Sequence, residues 1–195
     1  MNRLIVISTL TVLVLVACPK RQDTATQNMS SAASEQTGRS EVDGLPSKTY
    51  DINGDNKPDI WEYYKKVEKD GKQVDVTVRK EFDLNHDGKV DMVKVFNEKG
   101  EVIKEMIDFD FDGRFDTTNF YEKSQLVRQE MDLNWDGKPD IVKYFEKGKI
   151  TRKEISTKID GKMDYFEYYD DKGSIDRIGI DKNGDGEVDQ WIKKQ

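Results

Sequence analysis

The amino-acid sequence predicts an all-β domain built from about six repeated units. Three observations predict it: an acidic nine-residue motif recurs, a run rich in aromatic and β-branched residues follows each copy, and most runs then meet a turn signal. Regular spacing of this kind is the sequence sign of a repeat architecture. The motif copies are separated by 32, 25, 24, 24 and 25 residues and start at Asp51, Asp83, Asp108, Asp132, Ser156 and Asp181.

The runs after the motifs predict strands. MVKVF at 92–96 and IVKYF at 141–145 are dense in residues that favour a pleated, half-buried surface. Turn signals end most runs, three of them with a Lys-Gly pair, and Asp70-Gly71 divides the long first interval into a hairpin. Each unit is therefore strand, acidic loop, strand and tight turn, and the array is an antiparallel meander of about 12 strands with the loops along one edge. An open twisted sheet, a barrel and a propeller-like arrangement all remain compatible with this pattern.

The acidic motif predicts calcium binding. Asp or Asn fills 22 of the 24 places at positions 1, 3, 5 and 9 of the six loops. Turn chemistry explains one or two such residues, but not a further carboxylate at position 9. Ca²⁺ takes six to eight oxygen ligands, and without a cation these carboxylates would repel one another. The predicted ligands are Asp51, Asn53, Asp55, Asp59, Asp83, Asn85, Asp87, Asp91, Asp108, Asp110, Asp112, Asp116, Asp132, Asn134, Asp136, Asp140, Asp181, Asn183, Asp185 and Asp189.

These loops resemble the calcium loops of EF-hands and dockerins, and still more the nine-residue loops of integrin-type β-propellers. The resemblance implies bound Ca²⁺ at four to five sites. It covers the loops alone, because position 12 is not consistently acidic and the residues that follow favour strands. The loop at 156–164 is expected to bind no calcium, since Lys158 puts a cation where a ligand should be.

The amino terminus predicts export and a lipid anchor. A positive start and a short apolar run lead to Leu15-Val16-Ala17-Cys18, which resembles the lipobox of bacterial lipoproteins, and Cys18 is the only cysteine. The resemblance implies a signal peptide at 1–17, acyl chains such as palmitate on Cys18, and attachment to a cell-envelope membrane. Pro19 follows the cysteine at the place where an Asp would resemble the inner-membrane retention signal of some bacteria, so the sequence favours the outer membrane. Residues 18–47 predict a flexible tether, and residues 48–195 the repeat domain.

Charge and residue content argue against nucleic-acid binding and against catalysis. A net charge of −7 argues against nucleic acid as the main partner and suits cation binding. His86 is the only histidine, is expected to face solvent at loop position 4, and has no nucleophile to activate, so the chain is not predicted to be an enzyme.

The predicted function is a calcium-stabilised scaffold, adhesion or interaction module with an envelope protein or glycan as partner. The alternative is a carbohydrate- or peptidoglycan-binding module that uses exposed aromatic residues.

A basic residue also precedes each loop by a few positions. Its side chain could pair across strands with acidic residues such as Glu81, Glu130 and Glu154, or pack on aromatic rings. Alternatively, the basic residues could form a stripe that meets an acidic polymer. They are Lys48, Arg79, Lys104, Arg128, Arg152 and Arg177.

Overall fold

A computed structural model describes residues 42–194, which form a single antiparallel sheet of 12 strands in sequence order. Strands β1 and β12 form the two edges and do not pair with each other, so the sheet is open. The predicted all-β meander is confirmed, and the open layer is the arrangement adopted. The strands are β1 (Ser47–Tyr50), β2 (Ile60–Lys69), β3 (Lys72–Phe82), β4 (Met92–Phe96), β5 (Val102–Ile107), β6 (Thr117–Glu122), β7 (Gln125–Met131), β8 (Ile141–Glu146), β9 (Lys149–Ile155), β10 (Tyr165–Tyr169), β11 (Ile175–Ile180) and β12 (Gln190–Lys193).

The predicted signal peptide at 1–17, Cys18 and most of the predicted tether lie outside the described residues. The last residues of that tether are described: Val42 is buried, and Ser47 begins β1. The carbonyl of Pro46 accepts a hydrogen bond from the amide of Tyr64 at 3.1 Å, which fixes the chain where it enters the sheet. Among residues 42–194, the structure contains no helix of the length and apolar character needed to cross a bilayer.

The hairpins have the predicted turns. Asp70 and Gly71 join β2 to β3 with φ angles of 52° and 72°, the left-handed pair that a type I′ turn requires. Five hairpins also contain a register shift at the same place in the unit, as between Tyr144 and Phe145 in the β8–β9 hairpin. Such bulges increase strand twist locally, so a regular bulge gives the sheet a regular twist.

One face of the sheet is covered by the acidic loops, and we call it the covered face. Residues that pair directly across strands share a face. Val93, Met106, Val142 and Phe166 are buried on this face. The row nearest the loops, in strand order from β3, is Glu81, Val93, Met106, Thr118, Glu130, Val142, Glu154, Phe166, Gly179 and Trp191.

The residue at position 8 of each loop provides the cover. Phe115 and Pro139 line a hollow together with Met106, and a Cβ atom added to Gly179 would lie 2.9 Å from Cγ2 of Val188. A single layer of strands thereby buries apolar side chains without a second sheet or a helix. The position-8 residues are Pro58, Val90, Phe115, Pro139, Met163 and Val188.

The opposite face, which we call the open face, has two rows. An apolar row that includes Phe82, Met92, Ile107, Ile141 and Ile155 is half-buried. A polar ladder lies beside it, with contacts of 3.0 to 3.7 Å from strand to strand. Its members are Glu62, Lys80, Lys94, Glu105, Asn119, Gln129, Lys143, Lys153 and Glu167.

Candidate functional site

The six acidic loops line one edge of the sheet. They are loop 1 (51–59), loop 2 (83–91), loop 3 (108–116), loop 4 (132–140), loop 5 (156–164) and loop 6 (181–189). Each loop closes at its base, where the position-9 amide donates to the carbonyl just before position 1, as from Asp59 to Tyr50 at 2.8 Å. The position-9 carboxylate then accepts from the position-2 amide, as Asp59 does from Ile52 at 2.6 Å. Position 9 therefore ties both ends of the loop together.

Loop 3 shows how the remaining acidic side chains are held. Asp108 at position 1 accepts hydrogen bonds from the amides of Phe111 and Gly113, each at 2.7 Å. Asp110 accepts from the amide of Asp112 at 3.2 Å, and Asp112 accepts from the amide of Arg114 at 2.9 Å. Each acidic side chain, including the one at position 9, therefore accepts a hydrogen bond from a backbone amide of its own loop and so stabilises the turn. These hydrogen bonds also orient the carboxylates before any cation binds.

The same loop brings carboxylates together at a separation that suits a cation. One oxygen each from Asp108, Asp110 and Asp116 lie within 4.8 Å of one another. Ligand oxygens placed about 2.3–2.6 Å from Ca²⁺ can lie at most about twice that distance apart, so this triad fits around a single ion. Residues 42–194 contain no histidine or cysteine in such a group, and an all-oxygen set favours Ca²⁺ over Zn²⁺.

The predicted ligands differ in burial by position. Positions 3 and 5 are exposed, whereas positions 1 and 9 form the inner side of most loops. Burial raises the pKa of the Asp91 and Asp108 carboxyls, because desolvation disfavours the charged form. In loop 6, the amides of Gly186 and Gly184 lower the pKa of Asp181. The buried carboxylates are Asp59, Asp83, Asp91, Asp108, Asp140 and Asp181.

Loop 4 has two buried oxygens that lack a hydrogen-bond partner among residues 42–194. They are Oδ1 of Asp132 at position 1 and Oδ1 of Asp140 at position 9. Asp140 is only 1% exposed. A buried carboxylate oxygen without a donor is costly, and a cation would offset that cost.

Loop 5 keeps the same closure with fewer acidic groups. Ser156 replaces the position-1 carboxylate and lies 3.2 Å from Oδ1 of Asp160. Lys158 occupies position 3, where the other loops have Asn or Asp. Its ammonium lies 4.0 Å from Oδ2 of Asp164. The absence of calcium from this loop stays a prediction, and the loop can serve as an internal control for the others.

Two backbone positions in each loop are left-handed. Position 6 is mostly glycine, as the turn requires, and Asn56 fills it in loop 1 with φ 67°. Sequence reasoning missed position 4, where φ lies between 53° and 81°. Side chains other than glycine pay a steric cost in this region, and the cost is greatest for a β-branched residue such as Ile159. The position-4 residues are Gly54, His86, Phe111, Trp135, Ile159 and Gly184.

Position 4 also connects neighbouring loops, which corrects its interpretation as a purely solvent-facing position. Nδ1 of His86 lies 2.8 Å from Oδ1 of Asp59 in loop 1, and Nε1 of Trp135 lies 3.3 Å from Oδ1 of Asp116 in loop 3. The His86 contact lowers the pKa of Asp59 and raises that of His86. The sequence of a single motif does not predict these contacts, because the two side chains of each contact belong to neighbouring repeats.

Three of the six basic residues before the loops form ion pairs with the glutamates that the first interpretation named, but each pair lies within one strand, so the expected pairing across strands is wrong. Arg79 and Arg152 contact the carboxylates of Glu81 and Glu154 at 2.8 and 3.0 Å, and Arg128 contacts Glu130 in the same way. Guanidinium groups also lie on aromatic rings, as Arg152 does 4.1 Å from the ring centre of Tyr144. Lys48 differs: it lies three residues before its loop rather than four, and it contacts the ring of Tyr64 at 5.0 Å.

Comparison with known proteins gives only distant similarity. No family model matches the chain, and no curated protein matches it. A glycosylation-associated protein complex from Streptococcus agalactiae matches 77% of this chain at 12% identity, with a TM-score of 0.39, over 24% of its own length. Accessory secretory proteins 1, 2 and 3 of Streptococcus pneumoniae match 62% at 20% identity, with a TM-score of 0.34, again over 24% of that chain. This chain therefore spans about a quarter of those proteins, and TM-scores this low support no inference about function.

Proposed function

We propose that the protein is a non-catalytic, calcium-stabilised repeat module that Cys18 holds on the bacterial cell envelope, where it serves as a scaffold or interaction surface. The observation that carries the proposal is the convergence of Asp108, Asp110 and Asp116 oxygens within 4.8 Å of one another. Loops 1, 2, 4 and 6 have Asp at positions 1, 5 and 9 and Asn at position 3, so we expect a similar set of oxygen ligands there.

The composition of the interior supports a stabilising role for the cation. The charged-residue content of the whole chain is 36%, and its single-layer sheet buries few apolar side chains relative to its length. Buried carboxylates such as Asp91 and Asp140 add a desolvation cost at the loop edge. Ca²⁺ bound to the folded state offsets that cost and stabilises the fold by mass action. At the affinities usual for extracellular modules, about 10⁻⁴ to 10⁻³ M, the sites are permanently loaded structural elements.

Calorimetry and thermal unfolding test the calcium sites. The chain from Pro19 onwards retains every described residue and is titrated with Ca²⁺ after chelation. We expect heat for four to five sites and a higher melting temperature, with about 2.7 kcal/mol per site when calcium is about 100-fold above Kd. Absence of both heat and thermal shift would contradict the proposal.

A matched pair of variants locates the binding. Asp116→Asn removes the position-9 charge from loop 3, and Asp164→Asn makes the same change in loop 5. The first is expected to lower the number of sites by one, and the second to leave it unchanged, because Lys158 already lies beside Asp164. Equal effects of the two substitutions would show that the loops do not differ as proposed.

Fractionation of the cell envelope tests the anchor separately. The wild-type chain is expected to incorporate labelled palmitate and to sediment with outer membranes, whereas Cys18→Ser is expected to do neither. Release of both forms into the soluble fraction would contradict the lipid anchor and leave the calcium result unaffected.

A further inference from the structure

The last three strands carry an aromatic and cationic cluster on the covered face. Arg177 on β11 lies 4.8 Å from the ring centre of Tyr168 and 5.0 Å from that of Trp191. The two rings are 5.5 Å apart and tilted by 47°. Lys193 pairs directly with Arg177 across the β11–β12 register. We call these four residues the β12 cluster.

Gly179 distinguishes this cluster from the earlier units. In β3, β7 and β9, the arginine is followed two residues later by a glutamate that neutralises it. In β11 that place is held by Gly179, and Trp191 packs against it, with an indole carbon 3.4 Å from where a Cβ atom would lie. The missing side chain therefore leaves no anion beside Arg177 and makes room for Val188, with the Trp191 indole in contact beside it.

The cluster has an excess of positive charge in an otherwise acidic chain. Among residues 42–194, neither Arg177 nor Lys193 forms an ion pair, and the neighbouring Asp176 does not supply one. Like charges placed directly opposite on adjacent strands are destabilising. An anion bound between them would relieve that repulsion.

The position of Trp191 makes its indole accessible. Tyr144 lies on an inner strand, next to the Arg152 guanidinium at 4.1 Å. By contrast, β12 ends the sheet, so no described strand lies beyond Trp191, and this side chain is 50% exposed. An exposed aromatic ring beside a guanidinium without an ion pair can contact a ligand through an apolar surface and through paired N–H donors together.

We propose that the β12 cluster binds a carboxylate-bearing sugar, such as a uronate, within an envelope glycan. The Arg177 guanidinium donates two hydrogen bonds to the sugar carboxylate, with Lys193 adding charge, and the Trp191 indole packs on the apolar face of the ring. The site uses none of the loop oxygens, so it does not depend on the calcium sites; only the placement of the glycan in the envelope rests on the proposed function. A long polyanion such as nucleic acid is disfavoured, since two cations cannot offset repulsion from a chain with net charge −7.

Nuclear magnetic resonance tests the proposal through the indole N–H signals, because the chain has only three tryptophans. The probe is a tetrasaccharide of alternating glucuronate and N-acetylglucosamine, added in calcium. The neutral control is a tetramer of N-acetylglucosamine. We expect the charged probe to shift the Trp191 signal and the neutral probe to bind about tenfold or more weakly, given the strength of a charge-assisted hydrogen bond.

Matched variants separate a specific site from general attraction. Arg177→Gln is expected to weaken binding about tenfold. Arg152→Gln, at the equivalent place in β9 where Glu154 already pairs with the arginine, is expected to leave binding unchanged. Trp191→Phe assigns the signal and retains an aromatic ring should Trp191→Ala disturb the edge strand. Equal binding of both probes, equal losses from the two arginine variants, or an unmoved Trp191 signal would each overturn the proposal.

Discussion

The buried ion pair between Arg79 and Glu81 provides the sharpest test of the fold. Nε of Arg79 lies 2.8 Å from Oε1 of Glu81, and the two side chains are 3% and 1% exposed. The hydroxyl of Tyr63 also lies 3.3 Å from Oε2 of Glu81. Arg79→Met removes the cation while the apolar stem is retained, so the buried carboxylate of Glu81 loses the guanidinium beside it.

Removing one partner of a buried pair costs about 3–5 kcal/mol in free energy of unfolding. For a domain of this size, that loss corresponds to a decrease in melting temperature of about 6–20 °C. Arg152→Met is the matched control, because Arg152 and Glu154 are 37% and 15% exposed and the surface pair is worth about 1 kcal/mol or less. The double variant with Glu81→Leu is expected to recover most of the loss, since an apolar replacement of a buried pair is often neutral.

Urea unfolding followed by tryptophan fluorescence measures all of these variants under saturating calcium. The order of stability should be wild type and Arg152→Met, then the double variant, then Arg79→Met. A loss from Arg79→Met no larger than that from Arg152→Met would refute the reasoning, because it would mean that the covered face is open to water at β3.

Three further substitutions probe the loops, the core and the open face. Ile159→Asn should raise the free energy of unfolding measured with urea by about 1 kcal/mol, because Asn tolerates the left-handed backbone that Ile159 adopts at φ 53°. Val93→Ala should cost about 2–3 kcal/mol, since it removes two fully buried methyl groups, and a negligible loss would contradict cover by the loops. Glu62 has a lowered pKa, chiefly through the Thr77 hydroxyl, so its contribution to stability is present above its ordinary pKa and is lost as the pH falls through the folded value. Thr77→Val should raise the Glu62 pKa measured by NMR and shift the acid loss of stability to higher pH; an unchanged pKa would contradict the assignment.

The repeat made the fold predictable from the sequence to an unusual extent. Each motif marks a loop, each β-rich run a strand and each Lys-Gly pair a turn, so 12 strands follow from counting units. Whether the sheet closes was not predictable, because closure depends on the edges. Twist and shear accumulate over the whole array, and no local residue pattern encodes whether β1 and β12 meet.

The candidate site was predictable in its residues but not in its connections. Positions 1, 3 and 9 lie in one loop, so the convergence of Asp108, Asp110 and Asp116 follows from local spacing. The contacts of His86 with Asp59 and of Trp135 with Asp116 join different repeats, and the register that brings them together is a tertiary property. The apolar residues at position 8 were visible in the sequence as a regularity, but their role required knowing which face the loops fold onto.

The bond between successive loops explains how such a polar chain forms one sheet. From loop 2 onwards, the amide of each position-1 residue donates to the position-9 carbonyl of the preceding loop, as Asp83 does to Asp59 and Asp108 to Asp91, both at 2.8 Å. The strand ladder therefore continues without interruption through the acidic edge. Stability in such an array is a sum of unit and neighbour terms, so every loop that closes correctly also orders the next one. If calcium binds as proposed, we expect a cation in one loop to stabilise the base of its neighbour through the shared backbone, and we expect the effect to be greatest in the middle of the sheet, where each loop has neighbours on both sides.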